Sequence, residues 1–467
     1  MPATARVVVV GAGIAGLAAA HRLTSCGADV DIVVLEGAPR IGGKLLVGEV
    51  AGVAVDTGAE VLLNRRPEAV ALAQAAGLGG DVCHPAATSA AIWSRGGVRP
   101  MPPTVMGIPA DLAALRRSGI VTPLAVDRAG SDADVQDGRA PQDDVSVADF
   151  VLRRLGVEIL DRLVEPILGG VYAGHASRLS LYAAAPQIAA LASRGGSLVA
   201  AARATLATSA ATPVFAGIRG GVGRLPAAVA STSGSDVRVG APVRELSRGD
   251  RFRLVVGPTR SQQVVTADAV VLATPAAPTA RLLRDVCPVA AQELGGIEYA
   301  SMAVVTLAVP VSALPPVSGS GFLVPAVTGR SVKGVTYSWR KWAWLAEGCD
   351  DVAVLRASIG RHREERVLQR DDTTLVDLAR SDLAATIGLR GPALDSTVTR
   401  WGGALPQYQV GHLERVARIR SAVARVPRLE VCGAAYDGIG IAACVADGQR
   451  AADRLLAALR SRDTMAP

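Results

Sequence analysis

The chain has 467 residues, 50% of them hydrophobic and only 3% aromatic, and carries a net charge of +7. That length fits two or three domains around a large core, and the hydrophobic share excludes a disordered chain. The positive balance favours an anionic ligand or an acidic membrane surface, while the lack of basic runs interleaved with aromatics argues against nucleic acid. Six cysteines, Cys26, Cys83, Cys287, Cys349, Cys432 and Cys444, have neither C-x-x-C nor disulfide-framework spacing. They read as reduced thiols, and the expected localisation is cytoplasmic. Five histidines, His21, His84, His175, His362 and His412, are too scattered for a metal site, and no metal is expected.

In chain order, "RVVVVGAGIAGLAAAHRL" comes first. Val7 to Val10 read as a strand buried on both faces, and Ile14 to Cys26 as the helix leaving it. Gly11, Gly13 and Gly16 fall between and just inside these elements, spaced G-x-G-x-x-G. Gly11 permits a tight turn, Gly13 lets a diphosphate approach the backbone, and Gly16 brings helix and strand together. Ile14 and Ala15 then present free N–H groups at the positive end of the helix. The next strand, "DVDIVVLE", ends in Glu36, 20 residues beyond Gly16, where a carboxylate accepts hydrogen bonds from an unphosphorylated ribose; Gly37 follows it. Because the first residues run directly into this unit, no signal peptide is expected.

"APRIGGKL" places Arg40, Gly42, Gly43 and Lys44 where cations and small residues approach a diphosphate or a flavin edge. "VAVDTGAEVLL" supplies Asp56, Gly58, Ala59 and Glu60 at a strand-to-turn boundary. "AAIWSRGGVRPMPPTVMGIP" then reads as a hairpin. The pattern turns helical from about residue 109 to 216, interrupted at 124–146 by a polar, acidic stretch expected to be a mobile surface loop. After "IRGGVGRLPAAVA", "DVRVGAPVREL" reads as paired strands and "ADAVVLATPA" as another buried strand. The long uncharged stretch from Tyr299 to Gly329 contains Pro310, Pro315, Pro316 and Pro325, which argue against a membrane helix. Strands are expected from Tyr299 to about Val398. The last segment, "RLEVCGAAYDGIGIAACVADGQRAADRLLAAL", is again strand, glycine turn and helix, and its positive helix end suits the negative charge of a reduced flavin.

Taken in order, "VVGAGIAGLAAAHRL", "VLEGAPRIGGK", "DTGAEVLL", "GGVYAG", "GIRGGVGRLP", "VVLATPA", "RWGGALPQYQVGH" and "CGAAYDGIGIAAC" resemble the protoporphyrinogen/coproporphyrinogen oxidase family of the FAD-dependent, amine-oxidase-like superfamily. The first two motifs are shared across the superfamily; "ALPQY" with "GGVYAG" singles out porphyrinogen oxidation. The resemblance implies an α/β (mixed α+β) fold class, with a Rossmann-like FAD-binding domain at 1–85, 216–298 and 398–467. It further implies a substrate-binding mixed sheet at 86–109 and 299–397 and an inserted helical domain at 110–215. Gly11, Gly13, Gly16 and Glu36 are implied to bind the ADP half of a non-covalent FAD, with Arg40, Gly42 and Gly43 along it. Val243 is to meet the adenine through its backbone, Trp401 to lie near the isoalloxazine, and Gly433, Gly440 and Ile441 near the ribityl chain and pyrimidine ring. Tyr172, Ala173 and Gly174, with Phe322 and Leu323, are to line the substrate chamber.

Two departures matter. The arginine that pairs a propionate in protoporphyrinogen-type members is missing from "SAAIW", leaving Arg95 and Arg99 farther along the hairpin as candidate rim cations. His175 replaces an acid after "VYAG" and reads as a hydrogen-bonded surface histidine. The implied activity is oxidation of coproporphyrinogen III to coproporphyrin III, six electrons leaving in two-electron steps and O2 going to H2O2. The flavin takes hydride and pyrrole protons leave to water, so no catalytic side chain is assigned. Protoporphyrinogen IX is the alternative substrate. An amine oxidase or carotenoid desaturase relative, or a non-catalytic tetrapyrrole carrier, also stays open, as do contacts with a ferrochelatase or the membrane surface.

Overall fold

The computed structural model describes residues 4–27, 29–134, 140–208, 212–347 and 351–463. Cys349 and residues 135–139 of the expected loop lie outside them.

The strand Ala5–Val10 is the centre of a five-stranded parallel sheet. Val30–Leu35 and Asp236–Arg238 follow on one side, Ala269–Leu272 and Leu429–Val431 on the other. Its β-branched run is buried on both faces. Val7 and Val9 pack with the helices Ile14–Ser25 and Ile441–Asp463, whereas Val8 and Val10 pack with an antiparallel sheet of Val243–Arg248, Phe252–Val256 and Gln263–Ala267. The pairing expected within "DVRVGAPVREL" is therefore overturned. Gly240, at φ +61°, turns the chain so that its two strands enter different sheets.

A seven-stranded sheet faces this unit. Its order is Asp395–Pro406, Tyr299–Pro310, Val352–Ile359, Val332–Tyr337, Gly321–Leu323, Ala91–Ser94 and Gly97–Pro100. Neighbours are antiparallel except Gly321–Leu323 beside Ala91–Ser94. One face, including Ala303, Val305, Leu307, Val335 and Tyr337, packs on the helix Asp372–Ile387 through Leu375, Ala379 and Leu383. That helix departs from the strands expected throughout 299–398. Asp371 caps it by accepting from the Thr374 N–H, Gly388 ends it at φ +72°, and its apolar contacts recur every four residues.

Helices between Leu112 and Ala207 form a third core around Phe150, Leu155, Leu163 and Leu191. The expectation of a mobile loop at 124–146 is overturned where residues are described. Pro123–Gly130 is a helix capped by Thr122, and Ser131–Asp134 is a 3-10 turn. Asp132 is buried, receiving the Arg154 guanidinium at 2.6 Å and the Leu198 N–H at 2.5 Å. A two-turn helix is too short for its periodicity to stand out, and its anchoring acid reads as solvent-facing. Among the described residues no helix is long and apolar enough to cross a membrane.

Candidate cofactor and substrate site

A cavity of about 580 Å³ opens at the carboxyl ends of the parallel strands and continues onto the seven-stranded sheet. Such a switch from strand to helix is where open α/β sheets bind ligands. Gly11, Gly13, Ile14 and Ala15 line its start. A Cβ on Gly13 would meet nothing within 4 Å, so bare backbone faces the cavity at the start of Ile14–Ser25, whose first N–H groups have no intrahelical acceptors. Gly16 is not in the lining; its Cβ would sit 2.0 Å from the Gly11 carbonyl oxygen, so it serves the close helix–strand contact. Glu36 and Gly37 line the same end. The two Glu36 oxygens accept the N–H groups of Ala12 and Ala38, both at 2.8 Å, which leaves acceptor capacity toward the cavity.

Gly42, Gly43, Lys44, Gly58, Ala59 and Val243 also line it. Arg40 does not. Its guanidinium donates to the carbonyls of Ile41 and Gly43 and lies 5.7 Å over the Trp401 ring, so it braces the glycine turn from outside. Trp401 is in the lining, held by its indole N–H on the Thr57 carbonyl at 3.1 Å. Gly433 and Ile441 complete the far end, whereas Gly440 is absent from the lining. Burial lowers the Lys44 ammonium and pushes the Cys444 thiol, also in the lining, up to about 12.

Glu60 is not among the lining residues. It is buried and takes hydrogen bonds from Ser338, Lys341 and Trp342, with Arg356 at 3.1 Å. Burial alone would raise its carboxyl, but Lys341 and Arg356 outweigh burial and hold it at about 2. Its work is to join the strand-to-turn segment to the seven-stranded sheet.

The expected substrate residues divide. Met302 and Val304 line the cavity while Ala303 and Val305 pack on the opposite face of the sheet. Phe322 belongs to that opposite cluster, its ring 6.1 Å from that of Tyr337. Strand alternation therefore turns it away from the cavity, which corrects its placement against a macrocycle. Leu323 takes the cavity side, where its methyl lies 3.4 Å from the position of a Cβ on the lining residue Gly170. Tyr172, Ala173 and Gly174 directly follow Gly170 and Val171, which are in the lining, but are not themselves part of it. Arg95 and Arg99 are not brought to the cavity. Arg95 occupies the hairpin turn at φ +51°, and the Arg99 guanidinium is spent on the carbonyls of Ser94 and Arg95. His175 is half-buried between Glu165 and Glu364, at 3.2 and 3.1 Å; the Glu165 hydrogen bond raises its pKa against the opposing effect of burial.

The sequence reading missed several wall residues, among them Tyr299, Met302, Arg281 and Cys444. It also missed the supports behind the wall. Gln407 donates to the Tyr172 carbonyl at 2.8 Å, and the Tyr408 hydroxyl bridges the Ala434 carbonyl and the Gly438 N–H at 2.7 and 2.8 Å. Buried Asp447 accepts the Gly433 N–H at 2.9 Å and pairs with Arg420. The motif "ALPQY" carried the first two; nothing local marked Asp447.

Residues 14–456 match the family model described as flavin containing amine oxidoreductase. The chain belongs to that family. It is 37% identical over 454 residues to the coproporphyrinogen III oxidase of Mycobacterium bovis, with 97% of each chain covered. The Bacillus subtilis protein of the same name is 27% identical, over 97% of this chain and 98% of the relative. A solved structure from Exiguobacterium sp. 255-15, named as a candidate protoporphyrinogen oxidase, superposes with a TM-score of 0.87 at 30% identity, covering 98% of this chain and 99% of that one. Cyclohexylamine oxidase from Brevibacterium oxydans, at 19% identity and a TM-score of 0.71, shares the fold.

Proposed function

We propose that this flavoprotein oxidises coproporphyrinogen III to coproporphyrin III with a non-covalent FAD, in the cytoplasm, with O2 as the final acceptor. The reading rests on relatives of that name matched over nearly their full lengths. The cavity supports the cofactor assignment. Backbone at Gly11 and Gly13 would receive the diphosphate, Glu36 the ribose, and the Val243 backbone the adenine; Trp401, Gly433 and Ile441 would flank the ring system.

Bound FAD supplies two-electron oxidation of a carbon–hydrogen bond and passes the electrons to O2. The chain's own part is positioning and exclusion of water. Met302, Val304 and Val171 give an apolar wall for the macrocycle, and the Gln407 and Tyr408 supports hold the two sides of the cavity in register. The cofactor unit would be 1–85, 216–298 and 398–467, with the substrate sheet at 86–109 and 299–397 and helices at 110–215. Turnover under air is the test: coproporphyrinogen III should be used with the higher kcat/KM, and three H2O2 should form per porphyrin. A higher kcat/KM for protoporphyrinogen IX would favour the alternative substrate, and turnover of neither would refute the reading.

A further inference from the structure

With Arg95 and Arg99 held on their own hairpin, the cations for an acidic substrate have to come from elsewhere in the wall. Lys333, on the strand Val332–Tyr337, is 2% exposed. Its ammonium makes one long hydrogen bond, 3.4 Å to the Gly169 carbonyl, and lies 4.0 Å from the Met302 sulfur. Arg361 is 7% exposed and reaches only the carbonyls of Arg330 and Val324, at 3.4 and 3.3 Å. Among the described residues no carboxylate lies within 4.0 Å of either cation. The two other buried arginines are matched by acids, Arg154 by Asp132 and Arg356 by Glu60.

The acids in the neighbourhood are engaged. Glu165 and Glu364 hold His175, and Asp382 holds Arg330 and the Val332 N–H. Burial, with Arg361 of like sign nearby, pulls the Lys333 ammonium down to about 7. Glu364, Glu165 and Asp382 act on Arg361 from beyond 4.0 Å, but Lys333 is buried beside a like charge with no acid of its own, which is costly unless an anion joins it. The position of the two cations indicates where that anion would come from. Met302 and Gly170 line the cavity directly in front of Lys333, and the backbone N–H of His362, next to Arg361, donates to the Ala173 carbonyl at 2.7 Å. Methionine is the side chain best able to swing aside from such a place.

Resting on the porphyrinogen reading, we propose that Lys333, backed by Arg361, is a carboxylate-binding subsite of the chamber that takes one propionate arm of the substrate when Met302 moves away. Lys333 thereby contributes to choice among porphyrinogens by their acidic arms.

The test titrates wild-type and Lys333→Met holoenzyme with coproporphyrin III and with its uncharged tetramethyl ester, and records thermal unfolding of each without ligand. Lys333→Met should lose at least about tenfold in affinity for the acid, the loss expected of a charged hydrogen bond. Ester affinity should stay the same and the melting temperature unchanged or higher, since a buried cation has been removed. Lys333→Gln, which keeps a donor toward Gly169, should show the same selectivity and guards against a packing defect in the methionine variant. Equal losses for acid and ester with a lower melting temperature would make Lys333 structural, and unchanged affinities would remove the subsite; either overturns the proposal. Wild-type protein that neither binds the acid nor oxidises its porphyrinogen would refute the porphyrinogen reading itself, and the subsite with it.

Discussion

Glu36 spends one hydrogen bond per oxygen on the backbone of its own turn and retains capacity for a ribose. Replacing it by alanine removes a charged acceptor worth about 1.5–3 kcal/mol. Glu36→Ala apoprotein should therefore bind FAD about 10- to 100-fold more weakly, read by flavin fluorescence quenching on reconstitution. An unchanged Kd would put the ribose elsewhere. The steric counterpart belongs at Gly13, whose Cβ would enter the open cavity; Gly440 is outside the lining and its Cβ would also meet nothing within 4 Å. Gly13→Val is expected to purify with little flavin and Gly440→Val with near-normal flavin, measured by absorbance against protein. The reverse pattern would contradict the assignment of the diphosphate end. The positions of Gly11, Gly13, Gly16 and Glu36 at the end of the parallel sheet were legible in the sequence because they follow from spacing within one strand–turn–helix–strand unit. Phe322 was misplaced because a motif names residues without saying which face of the strand they occupy.

At the level of elements, the end of the strand Asp395–Pro406 matters most. Gln407 and Tyr408, which follow it, tie the Tyr172–Gly174 turn and the 434–438 loop to one short stretch of chain. Tyr408→Phe removes a hydroxyl that both donates and accepts, leaving the Ala434 carbonyl and Gly438 N–H without it. A loss of about 1–3 kcal/mol in stability is expected, with a shifted flavin absorption spectrum or reduction potential because the loop adjoins the lining residues Gly433 and Ile439. A lower melting temperature with an unaltered spectrum and potential would make Tyr408 a packing residue only. Glu60 couples other elements and carries a pH signature. Its carboxyl is held at about 2 against an ordinary 4.5, so its contribution is present above pH 4.5 and is lost as pH falls toward 2. The gap corresponds to about 3 kcal/mol. Glu60→Gln should destabilise the protein at pH 7 and flatten the change in melting temperature between those pH values; an unchanged acid limb would show that the pairing with Lys341 and Arg356 is not what holds the carboxyl down. Such networks escape a linear reading. Glu60 and Lys341 are far apart in the chain, as are Asp132 and Arg154, and each looks like an ordinary surface charge until folding brings it to its partner.

For the whole molecule, both chain ends build one side of the cavity and the seven-stranded sheet builds the other. The first was legible because strand, glycine turn and helix follow one another locally. The second required knowing the order Asp395–Pro406, Tyr299–Pro310, Val352–Ile359 and Val332–Tyr337, in which distant segments become neighbours and Lys333 comes to stand behind Met302. Proposed as a porphyrinogen oxidase, the protein must pass electrons from the macrocycle to its flavin before oxygen takes part. Mixing the purified holoenzyme with coproporphyrinogen III without air, and following flavin absorbance and porphyrin fluorescence together, tests that step directly. The flavin should bleach as the substrate is oxidised and recover its colour when air is admitted. A flavin that stays oxidised with coproporphyrinogen III and with protoporphyrinogen IX, yet bleaches with an amine, would contradict the assignment.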